Sequence, residues 1–192
     1  MADLLDSLMP SYDVREVHEL TVDAPREATW AALHQVSLRE MPMFRALMAL
    51  RQQPLPLGRT ERKLFTRSDR PLLAEMLSGA FVPLAQRPPS ELVIGLLARP
   101  WRPDGSMRKV DTQGFVAFEE PGWAKTVLGF RLQEVGTRTR MVTETRVRTT
   151  DRSSRRRFRA YWFAISWGSA ATRQAWLRAI KRRAERESAV DR

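Results

Sequence analysis

The feature that most constrains the fold is one long amphipathic segment near the C-terminus, from Asp151 to Glu187. At a helical advance of about 100° per residue, its bulky apolar residues share one side and its basic residues occupy the others. The pattern keeps its phase across Gly168, which predicts one long helix, straight or kinked at that residue. Asp151, Ser153 or Ser154 can cap its start. A helix with such an apolar face needs a sheet on which to bury it.

The middle of this apolar face is made of small residues. Gly168, Ser169, Ala170 and Ala171 lie there, with aromatic side chains to either side. Either a strand approaches the helix closely at this point, or a cavity remains between helix and sheet. The face as a whole is formed by Phe158, Tyr161, Trp162, Ile165, Ser169, Thr172, Trp176, Ala179 and Ile180.

The composition is that of one folded domain without disulfides. A chain of 192 residues, 43% of them apolar, can bury one substantial core. We expect a single domain over 1–192, with an N-terminal tail at 1–11 and a disordered tail at 188–192. The absence of cysteine excludes thiolate nucleophiles, and two histidines are too few for a multi-histidine metal site. The sequence therefore predicts neither a metal nor a cofactor.

No apolar run approaches the length of a membrane span, and the first residues lack the basic start of a secretory leader. These patterns predict a cytoplasmic protein without stable membrane insertion.

The net charge of +11 is concentrated on the C-terminal segment. Residues 1–150 contain 21 basic and 18 acidic side chains, whereas residues 151–187 contain 11 and 3. Basic residues on the wet side of one helix are most often a solvated face. We therefore expect no nucleic-acid partner. A basic surface that meets an anionic membrane or an acidic protein remains an alternative.

The pattern along the chain predicts an α+β order with an antiparallel sheet. Residues 12–23 alternate as a strand does, and Ala24-Pro25 ends that strand and starts a helix that runs to about Val36. A second short helix opens at Pro42. The remaining predicted elements are a strand at 59–66, a helical turn at 72–77, hairpin strands at 80–86 and 91–98, a short helix capped by Asp111, and long strands at 123–135 and 138–149.

This order resembles the START-like helix-grip superfamily, also called SRPBCC, which includes the birch-pollen allergen. The resemblance covers nearly the whole chain and looks like an uncharacterised bacterial branch. It implies an α+β helix-grip fold, in which a curved antiparallel sheet wraps around the C-terminal helix and two short helices follow the first strand. It also implies a hydrophobic cavity between sheet and helix. The residues that carry it are Val22-Asp23-Ala24-Pro25, Trp30, Glu144-Thr145-Arg146-Val147, Phe158, Tyr161-Trp162, Gly168-Ser169 and Ala179-Ile180.

The chain has no complete catalytic motif, since both a G-x-S-x-G nucleophile elbow and a Gly-rich phosphate loop are absent. His18 shares a strand face with Leu20, and Glu16 on the same face can pair with it. A histidine beside a dry cavity can orient a ligand or move a proton, which makes His18 and Glu16 the catalytic candidates. The alternative is an ordinary hydrogen-bonded core histidine. The ligand-binding candidates are His18, Leu20, Phe44, Leu128, Phe130, Met141, Thr143, Trp162, Ile165 and Ser169.

The predicted function is binding of an apolar or amphipathic small molecule, such as a lipid, polyketide or sterol, between the sheet and the C-terminal helix. We expect Leu128, Phe130, Met141 and Thr143 to line this space without touching the helix. One alternative is an enzyme similar to polyketide cyclases and aromatases, and another is a basic interaction module. We expect a monomer or a homodimer.

Overall fold

The computed structural model describes residues 3–42 and 69–190. The second predicted helix, which contains Phe44, and the strand predicted at 59–66 lie outside the described residues. The described helices are α1 (Leu4–Leu8), α2 (Arg26–Gln35), α3 (Leu72–Ser78), α4 (Thr112–Ala117) and α5 (Arg152–Val190), with a 3-10 turn at Leu38–Glu40. The strands are β1 (Val14–Val22), β2 (Val82–Arg87), β3 (Glu91–Ala98), β4 (Met107–Arg108), β5 (Ala124–Val135) and β6 (Arg138–Thr149).

The strands form one antiparallel sheet in the order β1-β6-β5-β3-β2, and the short β4 pairs with β3. The helix α5 lies against one side of this sheet, which we call the inner face. The predicted α+β helix-grip arrangement is therefore confirmed. The hairpin turn between β5 and β6 needs Gly136, whose φ of 62° favours a residue without a side chain.

The start of α5 is fixed by Asp151. Its carboxylate accepts hydrogen bonds from the backbone N–H of Ser154 at 2.9 Å and of Gly122 at 2.5 Å. Hydrogen bonds from the Ser154 hydroxyl and from these backbone groups lower the pKa of Asp151 to about 2. Of the three predicted caps, Asp151 is the one that caps the helix. The helix then continues unbroken through Gly168 to Val190.

Two apolar clusters lie on the inner face. The larger one, here called the central core, joins the sheet to α2, α3 and the C-terminal half of α5. Within it Trp176 is 2% exposed and packs edge-to-face on Phe130, with ring centroids 4.9 Å apart. The smaller one, here called the end cluster, gathers Ala124, Val147 and Phe158, with Trp101 and Trp162 packed against it.

The outer face of the sheet carries a third apolar cluster under α1 and α4. Leu5 and Met9, from the region expected to be a tail, are buried there beside Phe115 and Trp123. Asp111 caps α4 by accepting a hydrogen bond from the backbone N–H of Gly114 at 2.7 Å. The sheet is therefore covered on both sides over part of its area.

Candidate functional site

A band of polar side chains separates the central core from the end cluster on the inner face. Three elements cross it in the same order. Along β1 the inward residues run from Val14 through Glu16 and His18 to Leu20, and along β6 they run from Val147 through two threonines to Met141. Along α5, polar residues lie between the aromatic residues of the two clusters. We call this set the polar band; it comprises Glu16, His18, Thr143, Thr145, Ser169, Arg173 and Gln174.

The centre of the polar band is a contact between Glu16 and His18. Nε2 of His18 lies 2.7 Å from Oε1 of Glu16, and both side chains are 15% exposed. Nδ1 of His18 lies 3.2 Å from the side-chain nitrogen of Gln174. A neutral imidazole satisfies both contacts when Nε2–H donates to the carboxylate and Nδ1 accepts from the amide. The pairing of these two residues that the strand alternation suggested is thus observed.

The small segment of α5 meets the sheet through Ser169. Its hydroxyl donates to Oε2 of Glu16 at 3.2 Å, so both oxygens of this carboxylate have partners. One residue earlier, no described residue comes within 4 Å of the position that a Cβ on Gly168 would take. The helix therefore reaches β1 by a polar contact at Ser169 and leaves space beside Gly168.

Arg173 brings a positive charge to the polar band. Burial lowers the pKa of Arg173 to about 10, against the opposing attraction of Glu16, so the guanidinium remains protonated at neutral pH. Its Nε is buried and has no hydrogen-bond partner, and no carboxylate of the described residues forms an ion pair with this side chain. The residue as a whole is half-buried, and its guanidinium lies 6.0 Å from the ring centre of Trp176. A buried donor without a hydrogen-bond partner costs free energy that a bound acceptor would recover.

The two threonines of the polar band are buried from solvent, unlike its charged residues. Thr143 is 1% exposed and donates to the carbonyl of Gly129 at 3.0 Å, while Thr145 is 6% exposed. The cross-strand partners of these threonines in β1 are His18 and Glu16. They support the polar band from the sheet side.

The predicted ligand-binding residues divide between these regions. Leu128, Phe130 and Met141 are buried in the central core, with Leu20 packed against it. Trp162 is half-buried and stacks on Phe158 in the end cluster, at a centroid distance of 5.7 Å. Phe44 lies outside the described residues. His18, Thr143 and Ser169 lie in the polar band, and Ile165 is half-buried on α5.

One part of this expectation is wrong. Phe130 contacts the helix through Trp176 and does not line an open space. The small segment of α5 ends before Trp176, which restores a bulky contact between the helix and β5.

Arg173 and Gln174 were missed by the sequence reasoning. Gln174 lies opposite the apolar side of α5 and Arg173 lies at its border, so the helical pattern assigns neither of them to the buried face. A signal was nevertheless present in β1, because Glu16 and His18 on the inner face of a strand require polar partners from whatever packs on it. Long polar side chains near the small segment were the available partners.

A second charged cluster lies on the outer face, directly behind the polar band. Glu144 and Arg146, each 5% exposed, form an ion pair of 2.6 Å. Arg15 adds two hydrogen bonds to Glu144, at 2.7 and 3.0 Å. Arg146 also binds Asp6 at 2.6 Å and the carbonyl of Met9 at 2.8 Å. We call this set the outer network; it holds α1 against the sheet.

Protonation in the outer network follows its hydrogen bonds. Burial alone would raise the pKa of Glu144, but hydrogen bonds from Arg15 and Arg146 outweigh it and the pKa is lowered. Burial likewise opposes the charge of Arg146, yet hydrogen bonds to Glu144 and Asp6 raise its pKa. Glu144 and Arg146 are therefore both ionised and paired with each other at neutral pH.

Within residues 3–42 and 69–190, no three His, Asp or Glu side chains come together as a metal site would require. None of the helices in these ranges combines the length and the apolar character needed to cross a bilayer.

Neither a family model nor a curated protein sequence matches this chain. Among solved structures, TTHA0849 from Thermus thermophilus is 8% identical and is covered over 99% of its length by 91% of this chain, with a TM-score of 0.33. CalU16 from Micromonospora echinospora is 15% identical, with coverage of 92% of this chain and 86% of its own and a TM-score of 0.32.

The Zhui aromatase/cyclase from Streptomyces sp. R1128 is 16% identical, with coverage of 88% of this chain and 94% of its own and a TM-score of 0.33. Superpositions at these TM-scores are loose.

Proposed function

We propose that this protein binds an amphipathic small molecule between the inner face of the sheet and α5. The observation that carries the proposal is the polar band, which lies between two apolar clusters and contains Arg173. The Nε of Arg173 lacks a hydrogen-bond partner, and its guanidinium forms no ion pair with the described residues. A molecule with an apolar body and one polar group would match this alternation. A purely apolar ligand would leave this cation without an anionic partner.

The chemistry of the polar band favours an anionic or strongly accepting group on the ligand. Arg173 offers donors in a planar fork that suits a carboxylate or an enolate. Gln174 and His18 belong to the same polar band and can add one more hydrogen bond by exchanging their present contact. We therefore expect a carboxylic acid, or a phenol or enol of low pKa, as the polar group.

The test compares a dansyl-labelled medium-chain fatty acid with its methyl ester, followed by fluorescence titration. The wild type is expected to bind the acid more tightly than the ester. Arg173→Met removes the cation and keeps the length of the side chain, so it should weaken binding of the acid about tenfold or more and leave the ester nearly unchanged. Arg178→Met, an exposed arginine on the same helix, is the matched control.

Native mass spectrometry of the protein purified from its host gives an independent readout, because it reports a bound mass without a choice of probe. Absence of any retained mass, together with failure of the wild type to take up either probe, would contradict the proposal. Equal loss of acid and ester in Arg173→Met would retain a binding site but remove the role given to the guanidinium.

The Glu16–His18 contact favours an aromatase- or cyclase-like enzyme as a second candidate. A carboxylate that holds an imidazole at 2.7 Å is a common arrangement for proton transfer. With a poly-β-ketone thioester mimic as substrate, the wild type should then accelerate cyclisation, and His18→Gln should lower the rate by about 100-fold or more. Unchanged turnover in His18→Gln, or none in the wild type, would leave binding alone.

A further inference from the structure

The N-terminal half of α5 exposes two large aromatic side chains. Phe163 and Trp167 are each 87% exposed, and they lie one helical turn apart on the side that faces away from the sheet. Exposed alanines at 160 and 164 continue the same surface. Large aromatic residues are seldom this exposed without a partner, and a contiguous pair marks an interaction surface. We call Phe163 and Trp167 the aromatic patch.

Unpaired arginines adjoin the aromatic patch. By helical spacing Arg152, Arg156 and Arg159 lie on the same side of α5, one to three turns before it. All three are exposed, and none forms an ion pair with any described residue. These positive charges are thus free to meet a partner.

The other half of α5 uses its basic residues differently. Arg183 and Arg186 form ion pairs with Glu40 at 3.1 and 3.4 Å, and Lys181 pairs with Glu185 at 3.0 Å. The pairs with Glu40 attach the helix to the rest of the fold. The Lys181–Glu185 pair lies within α5, and Lys181 also donates to the carbonyl of Thr21 at 2.6 Å. A merely solvated basic helix gives no reason for free cations to be grouped at the end that also exposes aromatic rings.

The spacing of charge and apolar surface identifies the kind of partner. The 13 residues from 160 to 172 contain no Asp, Glu, Lys or Arg, and this stretch is about 20 Å long as a helix. A nucleic-acid surface places cations among its stacking aromatics so that they reach successive phosphates. Here the cations form one group and the apolar surface another along the same side of the helix. Such a side suits a membrane surface, where aromatic rings enter the interface and neighbouring arginines pair with headgroups.

We propose that this side of α5 docks on the surface of a bilayer rich in anionic lipid. Phe163 and Trp167 enter the interface between headgroups and acyl chains, where Trp in particular is stabilised. Arg152, Arg156 and Arg159 pair with anionic headgroups nearby. The opposite side of α5 remains on the sheet, so the fold does not open.

Flotation with vesicles tests the proposal directly. The full-length protein is mixed with vesicles of phosphatidylcholine alone or with about 30 mol% phosphatidylglycerol, at low and at physiological salt. The wild type is expected to float with the anionic vesicles only, and to be partly released by salt.

Two sets of variants separate the contributions of the aromatic patch and the arginines. Changing Phe163 and Trp167 to Ser should lower the partition coefficient about 100-fold, because both rings lose their apolar environment. Changing Arg156 and Arg159 to Gln should lower it about tenfold or more. Val116→Ser, an exposed apolar residue elsewhere, and Arg178→Gln are the matched controls and should have little effect. Far-ultraviolet dichroism checks that each variant is folded.

Brominated lipids locate the contact. Their bromines quench a tryptophan that enters the interface, so part of the fluorescence of the wild type should be quenched on binding. Trp167→Phe retains an aromatic ring and should retain flotation, but this quenching should largely disappear.

Several outcomes would overturn the proposal. If the wild type does not float, or floats equally with neutral vesicles, the protein has no docking surface for anionic lipid. Dimers that dissociate when Phe163 and Trp167 become Ser would assign the aromatic patch to a second copy. Protection of Trp167 from acrylamide in a dilute monomer would mean that the same chain covers it. Tight nucleic-acid binding abolished by the arginine changes would assign the cations to that partner.

Discussion

The polar band and the outer network lie back to back on the same two strands, yet they treat charge in opposite ways. In the outer network Glu144 and Arg146 are 5% exposed, and each has more than one charged partner. In the polar band Glu16 pairs with a histidine and a serine, and Arg173 forms no ion pair with the described residues. Arg15 and Glu16 are adjacent in β1, and Arg15 belongs to the outer network whereas Glu16 belongs to the polar band.

The difference separates charges that hold elements of the fold together from charges that remain available to a ligand. A buried charge whose partners are all supplied by the chain gives no place for a ligand and holds two elements together. A buried charge that lacks a partner weakens the fold and keeps donors ready for a ligand. The outer network therefore fits a structural role, and the polar band fits a binding role. Substitutions on the two faces should have opposite consequences for stability and for binding.

The largest effect is expected from Glu144→Leu. The change leaves Arg146 buried with Asp6 as its one remaining carboxylate and releases Arg15, which should lower the free energy of unfolding by about 3–5 kcal/mol. Urea denaturation provides the measurement. Arg140→Gln, which breaks an exposed ion pair with Glu19 on the same face, is the control and should cost less than about 1 kcal/mol. Comparable losses of unfolding free energy in the two variants would mean that the outer network stabilises the fold no more than an exposed ion pair does.

Part of the pH dependence of stability should also come from the outer network, beside the contribution of Asp151 at the start of α5. The pKa of Glu144 in the folded protein lies below its ordinary value of 4.5. Its contribution is therefore complete above that value and is lost as the pH falls through the lower folded-state pKa. Between about pH 5 and pH 3 the free energy of unfolding should fall more steeply in the wild type than in Glu144→Gln. Parallel curves for the two proteins would contradict this.

Within the polar band, Glu16→Gln should cost only about 1 kcal/mol in unfolding experiments. The amide oxygen can still accept from His18, and the hydroxyl of Ser169 can turn to accept from the amide N–H. Ligand binding is the more sensitive readout, since the position of His18 depends on this carboxylate. A loss of more than about 3 kcal/mol would show that Glu16 is as structural as Glu144.

The smallest effect on stability, and one of opposite sign, is expected for Arg173→Met. Burial opposes the charged form of this residue, so an apolar side chain of similar length should leave stability unchanged or raise it by up to about 1 kcal/mol. The same variant should bind the fatty-acid probe more weakly. A clear loss of stability would mean that the guanidinium is held by partners in solution.

Local patterns in the sequence were enough to predict most of the fold. The bounds of β3 and β6 agree with the prediction, because alternation and flanking turn residues define them without reference to the rest of the chain. The inward residues of β5 and β6 were likewise identified by their period of two. The helical pattern also placed Trp162 and Trp176 on one side, but it could not say which turn lies deeper. In the structure Trp176 is the more deeply buried of the two, and Trp162 is half-buried.

The candidate site was only half predictable. Glu16 and His18 could be paired because residues two apart in a strand share a face. Arg173 and Gln174 could not be assigned to the same place, since reaching His18 and Glu16 depends on how α5 lies along β1 and on the length of their side chains. Such a placement is a property of the packed tertiary structure, and no periodic pattern in the sequence indicates it.

The alternation of β1 has a consequence for how the chain avoids misassembly. Among the described strands it lies at one edge of the sheet, and a shift of one residue in its pairing would exchange its two faces. Such a shift would bring Arg15, Val17 and Glu19 to the inner face and carry Glu16 and His18 away from α5. The slipped strand would lose the partners of its charges on both sides at once. Charge alternation thus penalises the wrong register, as charged edge strands also discourage pairing between molecules.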